Sequence, residues 1–271
     1  KIKRTISFTS RRDTRAADEQ ISCIILGTGN LAHHLSQAFY SCSKIELVQV
    51  YGRNKDHLES FQVLAPTSSE PLIKDADVYL IAVKDNAIPV VSQLVADKKG
   101  MVVHTSGAME MKAIAHENSG VFYPLQTFSK ERELNFNTIP ICIEAKQHKG
   151  LEVLEKLAAS ISKRVHHIDS EQRKKLHLAA VFVNNFTNYL YSVGEDICEK
   201  EKLPFDLLRP LILETAEKVQ GMSTFSAQTG PARRGDSKSM EKHLELLEQP
   251  QEQILYKLLS EAIKTRYEEE L

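Results

Sequence analysis

The sequence predicts an α/β domain built on a parallel sheet, followed by an all-α domain. Three observations carry this prediction. Between Ile21 and Asp169, short stretches rich in Val and Ile alternate with segments of helical periodicity; after Asp169 the strand pattern stops; and the later segments repeat their apolar residues at helical spacing. Strand and helix in alternation imply a parallel sheet with helices on both faces, because a parallel crossover needs a connection about as long as a helix. The chain is therefore expected to divide into an extension over residues 1–20, an α/β domain over 21–168 and a helical domain over 169–271. That length accommodates two domains of ordinary size.

The extension, KIKRTISFTSRRDTRAADEQ, is polar and basic, has no hydrophobic periodicity and lacks the apolar stretch of a secretory signal. It reads as a flexible segment. Its Arg and Ser would also suit an organelle presequence, against which Asp13, Asp18 and Glu19 count. Predicted strands follow at ISCIIL, IELVQVY, DVYLIAV, GMVVHT, GVFYP, TIPICIE and RVHHID, with LAHHLSQAFYSC and LEVLEKLAASIS among the helices between them. Asp169 and Gln172 have the spacing of a capping box, so a long helix is predicted from about residue 171 to residue 200. Pro204 and Pro250 open two later helical segments, where the missing N–H of proline costs nothing, and Asp236 is placed to cap the helix that carries His243.

The stretch GTGNLA joins the first strand to the first helix, and Gly27, Gly29 and Ala32 give it the pattern G-x-G-x-x-A. Each position has a physical task. Gly27 permits the tight turn, Gly29 lets the backbone approach a pyrophosphate, and Ala32 lets helix and strand pack closely. The N–H groups and positive dipole end of the following helix suit an anion, which makes Thr28, Asn30 and Leu31 part of the same cradle. Together these features predict a Rossmann-like dinucleotide site.

The end of the second strand selects the dinucleotide. An NAD site carries an acid there for the ribose hydroxyls, whereas this strand ends in Gly52, Arg53 and Asn54, and Glu46 lies at its far end. A guanidinium can fork onto a 2′-phosphate that an acid would repel, so the expected cofactor is NADP(H). Later strand ends line the same crevice: Val83 and Lys84 at one, Ser106 and Gly107 at the next. Ser106 and Gly107 could offer a hydroxyl and an N–H to a substrate oxygen, while Lys84 and His104 fit surface or structural roles better than catalytic ones.

On the long helix, His177, Asn184, Asn188, Tyr191, Ser192 and Glu195 fall on one side at about 100° per residue. Such a stripe is either hydrogen-bonding glue between helices or the wall of a wet cleft, and His177 and Asn184, near the domain junction, favour the cleft. Arg234, in the loop TGPARRGDSKS, either pairs with Asp236 or meets an anionic substrate group.

Composition narrows the partners. Hydrophobic residues are 42%, charged residues 26%, and 35 basic against 36 acidic residues leave a net charge of −1, so no field is evident for gripping nucleic acid. No apolar run approaches the roughly 20 residues of a membrane-spanning helix. The four cysteines, in no metal-ligand spacing, suit the reducing cytoplasm. A small-molecule substrate is the expected partner, with a homodimer burying the surplus apolar residues of LLRPLILETA and ILYKLLSEAI.

The motifs LGTGNLA, VVHTSGAM, VFYPLQTFSK, LHLAAVFVNNF and AQTGPARRGD with HLELL, running from about Ile21 to the C-terminus, resemble an uncharacterised family of Rossmann-like NADP oxidoreductases with a C-terminal domain of unknown function. That family is similar in turn to 6-phosphogluconate dehydrogenase, β-hydroxyacid dehydrogenases and pyrroline-carboxylate reductase. The resemblance implies a helical second domain of the 6-phosphogluconate dehydrogenase type that builds a dimer; it implies no substrate. β-Hydroxyacid dehydrogenases carry an acid–base lysine on this helix, three or four residues before an asparagine. Here Val181 precedes Asn184 and Asn185, the lysine is missing, and His177, one turn earlier, is the expected substitute. Two functions are thus expected: an NADP(H)-dependent oxidoreductase of carbonyl or imine compounds, with His177, Asn184 and Ser106 in the chemistry and Gly107, Asn188 and Arg234 near the substrate, or a non-catalytic NADP-binding sensor or scaffold.

Overall fold

The computed structural model describes residues 20–267. The predicted extension, apart from Gln20, lies outside the described residues. Residues up to Asn184 form one compact unit and those from Asn185 a second.

The first unit is built on one sheet of eight strands: β1 (Ile21–Leu26), β2 (Ile45–Tyr51), β3 (Thr67–Ser68), β4 (Val78–Ile81), β5 (Met101–His104), β6 (Ser119–Pro124), β7 (Ile141–Ala145) and β8 (Val165–His167). Their order is β3-β2-β1-β4-β5-β6-β7-β8. Every ladder is parallel except β6–β7, where Tyr123 faces Cys142 in antiparallel register. The sequence reading of a parallel sheet therefore holds for the ladders from β3 to β6, and the edge beyond β6 departs from it. A strand of two residues such as β3 is too short to show any periodicity.

Alternation along the strands builds two apolar layers. Cys23 and Ile25 of β1 face one layer with Val78 and Leu80; Ile24 and Leu26 face the other with Tyr79 and Ile81. The first layer is covered by α1 (Asn30–Tyr40), through Ala32, Leu35 and Phe39, and later in the chain by the helix His148–Ile161, through Leu154, Leu157 and Ala158. Two short helices, α2 (Lys55–Leu58) and α3 (Ile88–Ser92), precede that long one, which is α4. A third, smaller cluster joins Val121, Tyr123 and Cys142 to Leu176 of the next helix.

That helix, α5 (Ser170–Ala180), starts with the predicted capping box: Asp169 Oδ1 accepts the Gln172 amide at 2.8 Å, and the Asp169 amide donates back to Gln172 Oε1 at 3.3 Å. The helical run continues to Lys200 as a π-helical stretch, Val181–Phe186, and α6 (Thr187–Lys200). The π stretch corrects the uniform helical wheel. Its i→i+5 turns take more residues each, so positions before and after it no longer keep one angular register.

The second unit holds α6, α7 (Arg209–Gly221), α8 (Thr224–Ala227), α9 (Ser237–Leu246) and α10 (Pro250–Tyr267). Asp236 caps α9 as predicted, accepting the Ser239 amide at 3.1 Å and the Ser239 hydroxyl at 2.6 Å. No helix among the described residues is long and apolar enough to cross a membrane.

Candidate functional site

Two groups of residues gather at the carboxyl ends of the central strands of the first unit, where a parallel sheet presents its ligand crevice. The first is the glycine loop. Gly27 has φ +138°, and a Cβ there would sit 2.1 Å from the Ala82 carbonyl oxygen, so only glycine closes the turn against the end of β4. Gly29 differs. A Cβ on it would meet nothing within 4 Å. It is the N-cap of α1, no side chain caps that helix, and no acid occupies its first turn. The first amides of a helix lack intrahelical acceptors, so the open space beside Gly29 is bordered by donors and by the positive end of the helix dipole.

Ala32 is fully buried and lets α1 lie close to the sheet, and Leu31 packs at the edge of the same core. Asn30 donates from Nδ2 to the Phe128 carbonyl at 2.9 Å, and His34 Nε2 donates to the Ser129 carbonyl at 2.8 Å, which fastens the loop after β6 to the start of α1. Thr28 lies against the end of β2: a Cβ on Gly52 would be 2.3 Å from the Thr28 methyl. That contact brings Arg53 to the loop. Arg53 is exposed and has no ion-pair partner among the described residues, and Asn54 caps α2 by accepting the Asp56 amide at 2.9 Å. Val83 is half-buried beside Gly27, whereas Lys84 is exposed.

The second group surrounds the end of β5. His104 is fully buried; its Nδ1 accepts the Ser106 amide at 3.2 Å, so Nε2 carries the proton and donates to the Glu110 carbonyl at 3.2 Å. Burial, then the nearby Arg173 cation, pushes its pKa down to about 4. His104 is thus a neutral structural histidine. Ser106 is also buried, and its hydroxyl accepts the amides of Ala108 and Met109 at 3.1 and 3.0 Å, shaping the turn that presents Gly107.

Gly107 is wedged between two rings. A Cβ at this position would lie 2.5 Å from His177 Nδ1 and 2.7 Å from Tyr123 Cζ. The Tyr123 hydroxyl and His177 Nδ1 are 3.0 Å apart, the rings meet edge to face, and His177 is half-buried. Burial, then the neighbouring Cys142 thiol, pushes the tyrosine hydroxyl up to about 12. Among the described residues no hydrogen-bond partner occupies His177 Nε2.

One turn before His177, Arg173 is completely buried, donating to Glu144 Oε2 of β7 at 2.5 Å, to the Met109 carbonyl at 2.5 Å and to Ser170 Oγ at 3.2 Å. Ser170 Oγ in turn donates to the Glu144 carboxylate at 2.9 Å. This network clamps the first turns of α5 to β7 and to the loop after β5, and so sets where His177 stands. Tyr123, Arg173 and Glu144 were not among the residues singled out from the sequence. An arginine in a helical first turn and a tyrosine in a strand carry no local mark of such contacts.

None of the contacts above involves the remaining candidates. Asn184 is exposed on the π stretch and Asn188 exposed on α6, where its carbonyl accepts the Ser192 hydroxyl at 3.4 Å. Arg234 is exposed in its loop, and its charge helps hold the Asp236 carboxyl below the usual range, an effect due first to the Ser239 hydrogen bonds.

Residues 22–106 match the family model described as NADP oxidoreductase coenzyme F420-dependent, and residues 139–263 match Domain of unknown function (DUF2520). Among solved structures, a "putative NADP oxidoreductase" from Bacteroides fragilis is 40% identical with a TM-score of 0.85, the match covering 91% of this chain and 99% of that one. A protein from Thermotoga maritima is 24% identical over 91% of this chain and 99% of that one, with a TM-score of 0.77. A variant of an imine reductase from Myxococcus stipitatus, in complex with NAD+, shares the fold at 14% identity and a TM-score of 0.55, over 92% and 93% of the two chains. No curated protein matches this chain.

Proposed function

The chain belongs to the NADP oxidoreductase family of the Bacteroides fragilis protein, and on that premise we propose that it transfers a hydride between NADP(H) and a small carbonyl or imine compound. The observation that carries this reading is the glycine loop, where a helix N-terminus without a side-chain cap faces open space beside Gly29, and Arg53, with no ion-pair partner among the described residues, stands at the adjoining strand end. These residues fit the cofactor: amides of Gly29, Asn30 and Leu31 for the pyrophosphate, and the Arg53 guanidinium with Asn54 for the 2′-phosphate side. Val83 and Lys84 border the same crevice. When bound, NADPH supplies the hydride.

The protein's own part in the chemistry is to orient the substrate and to move one proton. His177 Nε2 exchanges that proton with the substrate heteroatom, Gly107 and Ser106 shape the backbone beside it, and Asn184 holds the same atom. Asn188 and Arg234 contact outlying parts of the substrate. A homodimer covers apolar side chains that the second unit leaves exposed, among them Leu207, Leu211, Ile254 and Leu258. Four free cysteines support a cytoplasmic setting, where thiols are kept reduced.

Fluorescence titration and a turnover screen test the reading. NADPH binds more tightly than NADH, and Arg53→Asp removes most of that preference, because the acid repels the 2′-phosphate. Equal affinities in the parent protein overturn the NADP assignment. His177→Gln leaves NADPH affinity nearly unchanged and lowers turnover by roughly 10²- to 10⁴-fold. NADPH binding with no oxidation on any carbonyl or imine compound supports the sensor or scaffold alternative, in which Val181 marks lost chemistry.

A further inference from the structure

We propose that Tyr123 is a positioning residue for His177: its hydroxyl holds Nδ1, so that Nε2 alone is left to exchange a proton with the substrate. The proposal rests on the acid–base role given to His177 above, and it can be tested separately from that role.

The geometry leaves the imidazole few alternatives. Tyr123 Oη is 3.0 Å from Nδ1, and the Gly107 backbone fills the angle between the two rings so closely that even a methyl group there would stand 2.5 Å from Nδ1. Both ends of the pair are anchored. Tyr123 is buried in β6 and packs in one cluster with Cys142 and Leu176, while α5 is pinned one turn before His177 by the Arg173–Glu144 pair. Nε2 is the ring nitrogen with no partner among the described residues.

The choice of a tyrosine has a chemical consequence. Its hydroxyl stays neutral through the range in which an imidazole titrates, since burial first and Cys142 second push it up to about 12, against a smaller opposing effect from Arg173. A neutral hydroxyl accepts the Nδ1–H of the imidazolium, and in the arrangement proposed it goes on accepting from the neutral ring instead of turning to donate to a bare Nδ1. Nδ1 then keeps its proton while Nε2 gains or loses one, and the ring need not turn between the two states. The proton balance is simple: in reduction, the Nε2–H bond breaks as the substrate N–H or O–H bond forms, and the solvent later returns the proton to Nε2. Tyr123 itself releases none.

The test is NMR of the full-length protein with ring-15N histidine, the His177 signals being identified by their loss in His177→Gln. The wild-type neutral ring is expected as one tautomer, protonated at Nδ1. Tyr123→Phe removes the acceptor and is expected to shift the tautomer ratio about fivefold towards Nε2–H, the scale of one ordinary hydrogen bond. Gly107→Ala keeps the hydroxyl but forces the ring away, and the same shift is expected; this variant decides the matter if Tyr123→Phe does not fold. An unchanged tautomer ratio in a folded variant overturns the proposal, as does a wild-type ring protonated at Nε2. If instead the tautomer shifts as expected while His177→Gln retains full turnover, the acid–base reading has failed and the positioning contact stands.

Discussion

Gly27 and Gly29 stand two residues apart and answer to different constraints. Gly27 is required by the protein itself, through its positive φ and its contact with the Ala82 carbonyl; Gly29 has open space where its side chain would be. Gly27→Ala should therefore cost about 2–4 kcal/mol of stability, read from urea unfolding, because strain and collision add. Gly29→Ala should leave the unfolding midpoint unchanged and weaken NADPH binding about tenfold, as the methyl holds the pyrophosphate away from the backbone. His104 gives a third residue-scale expectation. Its folded pKa of about 4 is depressed, so the unfolded state binds more protons between that value and the ordinary pKa near 6.5. Stability from this group is complete above about pH 6.5 and is lost as pH falls towards 4, roughly 3 kcal/mol in total. Urea unfolding across that range should show the slope, and His104→Gln should flatten it.

At the scale of elements, α5 is the piece on which the second group of site residues depends. Its start is fixed locally by the capping box and non-locally by Arg173, whose guanidinium is buried against Glu144, Ser170 and the Met109 carbonyl. The two devices differ in weight. Asp169→Ala should cost about 1 kcal/mol, the usual value of an N-cap. Arg173→Ala should cost about 3–5 kcal/mol, because it leaves the Glu144 carboxylate, which is only 17% exposed, without its cation. The helix continues through a π stretch that contains Asn184 and Asn185. Inserted turns of this kind recur at functional sites, since they redirect the side chains that follow. They also explain why a helical wheel of constant pitch describes only part of the run.

For the whole molecule, the second unit carries the assembly prediction. Large apolar side chains stay exposed along its helices, with Leu211 at 62%, Ile254 at 66% and Leu258 at 65%, which is far from the usual outward face of a soluble helix. Light scattering at micromolar concentration should show a homodimer, and Leu211→Glu should shift it towards monomer. A monomeric parent protein would count against the dimer and leave those faces to another partner.

The sequence by itself determined the longer strands, the capped helices and the glycine loop. Strand alternation, the capping box at Asp169, the cap at Asp236 and the G-x-G-x-x-A turn all express local constraints, namely which face is buried, which amide needs an acceptor and which φ the chain must adopt. Residues within one turn or one strand suffice to record these. The antiparallel ladder of β6 with β7, the π stretch, the buried Arg173–Glu144 pair and the meeting of Tyr123 with His177 were decided only by the tertiary structure. Each couples groups far apart in the chain, 29 residues for Arg173 and Glu144 and 54 for Tyr123 and His177, or depends on how a helix packs after it has formed. An arginine bound for the core and one bound for water have the same local pattern; burial and register, which separate them, exist only when the strands have paired and α5 has docked.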